Sequence, residues 1–129
     1  MYYKGTMNVL KNPDVSLTTK KQFMLLYFTA TWCGPCRRVG PIVEQMSTDH
    51  KFEHVDFFKI DIDLCDQLTN SYGITSVPTF ILVSGKAGHP IIERASGADV
   101  KTVEALSDML TKAGSSKTID CEVDNLNSN

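Results

Sequence analysis

Residues 23 to 29 form a continuous apolar run that ends just before Thr31-Trp32-Cys33-Gly34-Pro35-Cys36. A short run without alternation has both faces covered, so it reads as a central strand with layers packed above and below it. It is far too short to cross a bilayer, which takes about 20 apolar residues. The chain is thereby committed to a buried strand that delivers a Cys-x-x-Cys pair to the start of the next element.

That next element reads as a helix. From Cys36 onward, Val39, Ile42, Val43 and Met46 fall at i, i+3, i+4 and i+7 and lay an apolar stripe on one face. Pro41 lies within it and should kink the helix, because proline removes a backbone donor and crowds the preceding turn. Val55 to Ile62 alternates as a strand, and Asp63 is placed to cap a short helix over Leu64 to Ser71. Thr79 to Val83 is a second fully apolar strand, Ser84 to His89 a glycine-containing hairpin loop, and Ile91 to Ala95 the returning strand. A last helix runs from an Asp99 cap to about Lys112 and buries Val103, Leu106 and Leu110. A weaker strand and helix precede all this within residues 2 to 22. The order predicts an α/β fold with a mixed sheet and helices on both faces. Residues 1–113 make one domain. Residues 114–129 are mostly polar and read as a flexible tail, because they bury too little surface to offset their ordering entropy.

Composition excludes several classes of function. With 129 residues and 42% hydrophobic content the chain suits one soluble domain, and 13 basic against 15 acidic residues give no field to hold nucleic acid or an anionic membrane. The first residues lack the charged segment, apolar stretch and cleavage site of a secretory signal, so a cytoplasmic location is expected.

Chemistry concentrates at Trp32-Cys33-Gly34-Pro35-Cys36. Cysteines three apart at the start of a helix share a face and lie close enough to bridge, so the dithiol can close and reopen. Cys33 sits at the helix N-terminus, where unpaired N–H groups and the positive end of the macrodipole favour its thiolate near neutral pH. Arg37 and Arg38 add positive charge. Such a thiolate attacks a substrate disulfide, and Cys36 resolves the mixed disulfide by attacking Cys33. Pro35 suits the first helical turn, and Gly34 lets a substrate backbone approach. The same spacing serves zinc, but four ligands are usual at a structural site, and His50, His54, His89, Cys65 and Cys121 are scattered. The placement, after a buried strand and opening a helix, favours redox chemistry.

On these residues the chain resembles the thioredoxin family over about Leu25 to Leu110. Ala30-Thr31-Trp32-Cys33-Gly34-Pro35-Cys36 is similar to its active-site segment, Tyr72-Gly73-Ile74-Thr75-Ser76-Val77-Pro78-Thr79-Phe80 to its second motif, and Gly97-Ala98 to its substrate-loop glycine. The resemblance implies the thioredoxin fold, a cis bond between Val77 and Pro78, and a docking surface of Trp32, Gly34, Pro35, Ile62, Val77, Pro78, Gly97 and Ala98 for disulfide-containing proteins. It implies no bound cofactor, electrons from NADPH through a separate thioredoxin reductase, a monomer, and a role in electron transport and cell redox homeostasis. One position departs from the pattern. Tyr27 stands where the family places a buried Asp that accepts the proton of the second Cys, and Lys59, which aligns with that Asp's usual partner, loses it. A phenol with a reference pKa near 10 is a poor base at neutral pH, so either slower deprotonation of Cys36 or takeover by another group, such as a water held by Tyr27, is expected.

Two alternatives stand beside a general thioredoxin. Leu26 to Cys33 is similar to the tryparedoxin and nucleoredoxin branch, which uses a different donor but usually carries Pro-Pro between its cysteines. A redox-inactive binding module of the same fold is the other. Cys65 is read as packing in the first turn of the short helix. Cys121, in the tail, is either inert or a site of regulatory oxidation or of an intermolecular bridge.

Overall fold

The computed structural model describes residues 7–12 and 16–127, with side chains as far as Gly114. Its elements are β1 (Met7–Leu10), β2 (Phe23–Thr29), α1 (Gly34–Ser47), a single 3-10 turn at His50–Phe52, β3 (Val55–Asp61), α2 (Asp66–Ser71), β4 (Thr79–Ser84), β5 (Ile91–Ser96) and α3 (Val100–Asn127). They build one five-stranded sheet in the order β1-β3-β2-β4-β5. β3 runs parallel to both β1 and β2, and the hairpin β4–β5 joins antiparallel to β2. The sheet is therefore mixed, as expected.

Strand alternation divides the core between two faces. Leu25 and Tyr27 of β2, Phe57 of β3 and Phe80 and Leu82 of β4 point one way, against Val39 and Val43 of α1 and Leu106, Met109 and Leu110 of α3. Met24, Leu26, Phe28, Phe58, Ile60, Ile81 and Val83 point the other way, toward Cys65, Leu68 and Tyr72 around α2 and toward Leu17. β2 lies between β3 and β4 with helices above and below it, so every residue from Met24 to Thr29 is buried. Each large side chain so enclosed contributes about 1.5–3 kcal/mol of hydrophobic stabilisation.

Several boundaries differ from those expected of the sequence. Residues 16–22 form no helix but an extended connection with a bend. Leu17 is buried there, and its carbonyl meets His89 Nε2 at 3.1 Å, while His89 Nδ1 lies 3.0 Å from the Ser84 carbonyl. Tertiary contacts thus hold a segment too short to gain from helical propagation. Residues 1–6 and 13–15, which share that early expectation, lie outside the described residues. α2 starts at Asp66 with Cys65 at its N-cap, not at Leu64 with Asp63. Ile42 of α1 is 38% exposed. The buried stripe of α1 is Cys36, Val39, Val43 and Ser47, and Ile42 falls about a quarter-turn off it because the helix rests on one sheet face alone. Val103 is only half buried. α3 continues past Lys112 to Asn127. The backbone of residues 115–127 is thus helical, while the side chains beyond Gly114, and with them the reading of Cys121, lie outside the described residues.

Candidate active site

β2, the central strand, hands the chain at its C-terminal end to α1 through a tight turn, closed by the Cys33 N–H donating to the Ala30 carbonyl at 3.2 Å. Cys33 is the N-cap of α1, with extended backbone, and Pro35 falls in the first turn where its missing N–H costs no helical bond. Cys33 and Cys36 are joined as a disulfide with their Cα atoms 5.3 Å apart. The Cys36 amide donates to Cys33 Sγ at 3.2 Å. The helix therefore presents an N–H and the positive end of its dipole to this sulfur and to any charge that forms on it.

Three segments converge on the pair. Ala30, Cys33 and Cys36 form a small buried cluster against which Ile62 and Val77 pack. The Val77–Pro78 peptide is cis, and the Val77 carbonyl lies 3.7 Å from Cys33 Sγ. The Pro78 carbonyl accepts from the Gly97 N–H at 3.0 Å, which fastens the end of β5 to this loop. Gly97 has φ +111°, a conformation that L side chains rarely adopt. Ala98, next to it, is partly buried and packs against the core cluster that includes Leu106, Met109 and Leu110 of α3. Trp32 is 64% exposed, and its indole Nε1 donates to Asp63 Oδ2 at 2.8 Å, which holds the ring beside Cys33. Asp63 thus positions the tryptophan instead of capping α2. Gly34 and Pro35 are exposed at the tip. Arg37 reaches the Thr31 carbonyl at 3.4 Å.

Behind the pair the arrangement departs from the family pattern. Tyr27 is 2% exposed, stacks on Phe80 with ring centroids 5.1 Å apart, and donates its hydroxyl to the Cys36 carbonyl at 3.4 Å. Burial pushes its phenol above the ordinary value, and the negative charge of Glu44 adds to this against an opposing hydrogen bond with Thr29. Tyr27 is therefore no base for Cys36 at neutral pH. Lys59 pairs in register with Tyr27 across β2 and β3 and lines a cleft beside it. Cys65 is buried on the opposite face, its Sγ 3.6 Å from the Leu10 carbonyl, with its thiol pushed up by burial first and then by Asp61 and Asp66. Among the described residues no group of three or more His, Cys, Asp or Glu gathers as a metal site, and no helix is long and apolar enough to cross a membrane.

Sequence reasoning named the dithiol and its neighbours but missed the parts played by Asp63, Thr29, Gly40 and Glu44. The spacing of Cys36, Gly40 and Glu44 on one side of α1 was the signal available for the last two.

A sheet-borne dithiol that caps a helix, set against a cis-proline loop, defines a thiol–disulfide oxidoreductase domain. Residues 7–112 match the Thioredoxin family model. The chain is 34% identical over 104 residues to a thioredoxin of Aspergillus fumigatus, an alignment covering 79% of this chain and 92% of that one. The crystal structure of a Malassezia sympodialis thioredoxin superposes with a TM-score of 0.74 at 28% identity, over 88% of this chain and 96% of that one. The chain is also 40% identical over 84 residues, 64% of its length, to a TPR repeat-containing thioredoxin of Arabidopsis thaliana, but the match spans only 20% of that longer protein. The chain belongs to the thioredoxin family.

Proposed function

We propose that the protein reduces disulfides in other proteins by thiol–disulfide exchange. The observation that carries this reading is Cys33 at the N-cap of α1, its sulfur accepting the Cys36 amide and lying beside the Val77 carbonyl. In the reduced protein the Cys33 thiolate attacks a substrate disulfide, forming a mixed disulfide and releasing one substrate thiolate. Cys36 then attacks Cys33, the internal disulfide closes, and the second substrate sulfur leaves. The flat rim of Trp32, Gly34, Pro35, Ile62, Val77, Pro78, Gly97 and Ala98 docks the substrate, and the Val77 backbone pairs with an extended substrate segment.

In this reading the protein works as a monomer in the cytoplasm, within electron transport and cell redox homeostasis. Thioredoxin reductase regenerates the dithiol with electrons from NADPH, and no cofactor is bound. The buried Tyr27 favours a second reading, a tryparedoxin-like reductase served by a low-molecular-weight dithiol.

Insulin reduction followed by turbidity tests both. Turnover with thioredoxin reductase plus NADPH and with dithiothreitol, lost in Cys33→Ser, is the expected result. Turnover with the dithiol alone favours the second reading, and none with either donor refutes both.

A further inference from the structure

With Tyr27 unable to accept a proton, the Cys36 thiol needs another outlet. A cleft of about 330 Å³ opens beside it, lined by Tyr27, Thr29, Cys36, Gly40, Glu44 and Lys59 among others. Cys36, Gly40 and Glu44 succeed one another at i, i+4 and i+8 along one side of α1. Gly40 has no side chain to close the gap between the other two, and a Cβ there would stand 3.6 Å from the Tyr27 hydroxyl. The cleft's volume is that of about ten liquid waters, and its walls carry polar groups able to bind them.

The charged groups facing this space are Lys11 after β1, Arg37 and Glu44 on α1, and Lys59 and Asp61 on β3. Of these only Glu44 and Asp61 are carboxylates, the groups with a lone pair to offer a proton. Asp61 Oδ1 is engaged, accepting the Asp63 N–H at 2.9 Å in the turn after β3. The Glu44 carboxylate makes no hydrogen bond or ion pair among the described residues. Side chains on a helix lean toward its N-terminus, which points Glu44 along the cleft toward Cys36. Its axial separation from Cys36 is about 12 Å between Cα atoms, part of which its long side chain covers.

We infer that Glu44, through cleft water, accepts the proton that Cys36 must lose to resolve the mixed disulfide. The inference rests on the exchange reaction proposed above. The Cys36 S–H proton passes to the Glu44 carboxylate, and the Cys36 thiolate attacks Cys33 Sγ. The Cys33–Cys36 bond forms as the bond from Cys33 to the substrate sulfur breaks. The electron pair of that broken bond leaves on the substrate thiolate, which is protonated from solvent. The enzyme dithiol is oxidised by two electrons and the substrate disulfide is reduced by two. Glu44 is a positioning residue in this scheme, since it acts on Cys36 through water and touches neither sulfur.

Rapid acid quench with mass spectrometry, on reduced protein mixed with a disulfide-linked peptide, separates formation of the mixed disulfide from its resolution. In Glu44→Gln, formation proceeds as in wild type while resolution near neutral pH slows by about tenfold or more. The deficit shrinks as pH rises and the Cys36 thiol ionises unaided, and Glu44→Asp restores most of the rate. Unchanged resolution across the pH range in Glu44→Gln overturns the inference, as does a profile moved by Asp61→Asn and not by Glu44→Gln. Failure of wild type to form any mixed disulfide overturns the exchange reading, and the inference with it.

Discussion

Replacing Tyr27 by Asp restores the carboxylate that the family usually carries, and the structure predicts what that costs. Tyr27 is 2% exposed, stacked on Phe80 and enclosed with Val39 and Val43 in the core shared by the sheet, α1 and α3. Truncating a buried aromatic side chain destabilises by about 3–5 kcal/mol through lost transfer energy and the cavity left behind. The new charge adds less than an isolated buried carboxylate, because Lys59 is its register partner across β2 and β3. Against a typical total of about 5–15 kcal/mol, Tyr27→Asp therefore loses roughly a fifth or more of the stability. The thermal midpoint should fall by roughly 10–20 °C. Tyr27→Phe keeps ring and stack and gives up only the hydroxyl's interactions with the Cys36 carbonyl and Thr29, so it costs about 1–2 kcal/mol. Urea unfolding of the oxidised proteins, followed by circular dichroism, reads both values. A Tyr27→Asp protein within about 1 kcal/mol of wild type would falsify the packing argument and leave Tyr27 as filler the core can do without.

Three further outcomes are expected. Gly97→Ala should lose about 1–3 kcal/mol in the same unfolding assay, since φ is +111° and the added Cβ would sit 3.0 Å from Thr102 Oγ1. Asp99 accepts the Thr102 hydroxyl at 2.6 Å and the Thr102 N–H at 2.9 Å, and these bonds, the hydroxyl's first, hold its carboxyl below the ordinary 3.8. A lowered folded value stabilises above the unfolded value and is lost as pH falls through the folded one, so the stability gap between wild type and Asp99→Asn should narrow on acidification below about pH 4. Cys65, buried and pushed up, should resist iodoacetamide in the native protein at neutral pH and react once urea unfolds it, as mass spectrometry of the alkylated peptide will show.

Much of this was written locally in the chain. The uninterrupted run from Phe23 announces a strand covered on both sides because only such a strand forgoes alternation. Cys33 and Pro35 announce a helix start because capping and a tolerated proline are first-turn properties. The thiol chemistry comes from those two facts together with the spacing of Cys36. Pairing across distance was not legible. Asp63 reads as a helix cap until the fold brings Trp32 within reach of its carboxylate, and the helix expected before residue 22 is absent over residues 16–22, where His89, remote in sequence, meets the Leu17 carbonyl. Ile42 fits the helical period, yet one sheet face is too narrow to cover it. The sequence by itself determined the order of strands and helices from β2 onward and the identity of the reactive dithiol, since periodicity, caps and cysteine spacing are properties of neighbouring residues. Only the tertiary structure decided what faces Cys36 from behind, because Tyr27, Lys59, Asp61 and Glu44 come from three elements and share a cleft only once β2, β3 and α1 have packed.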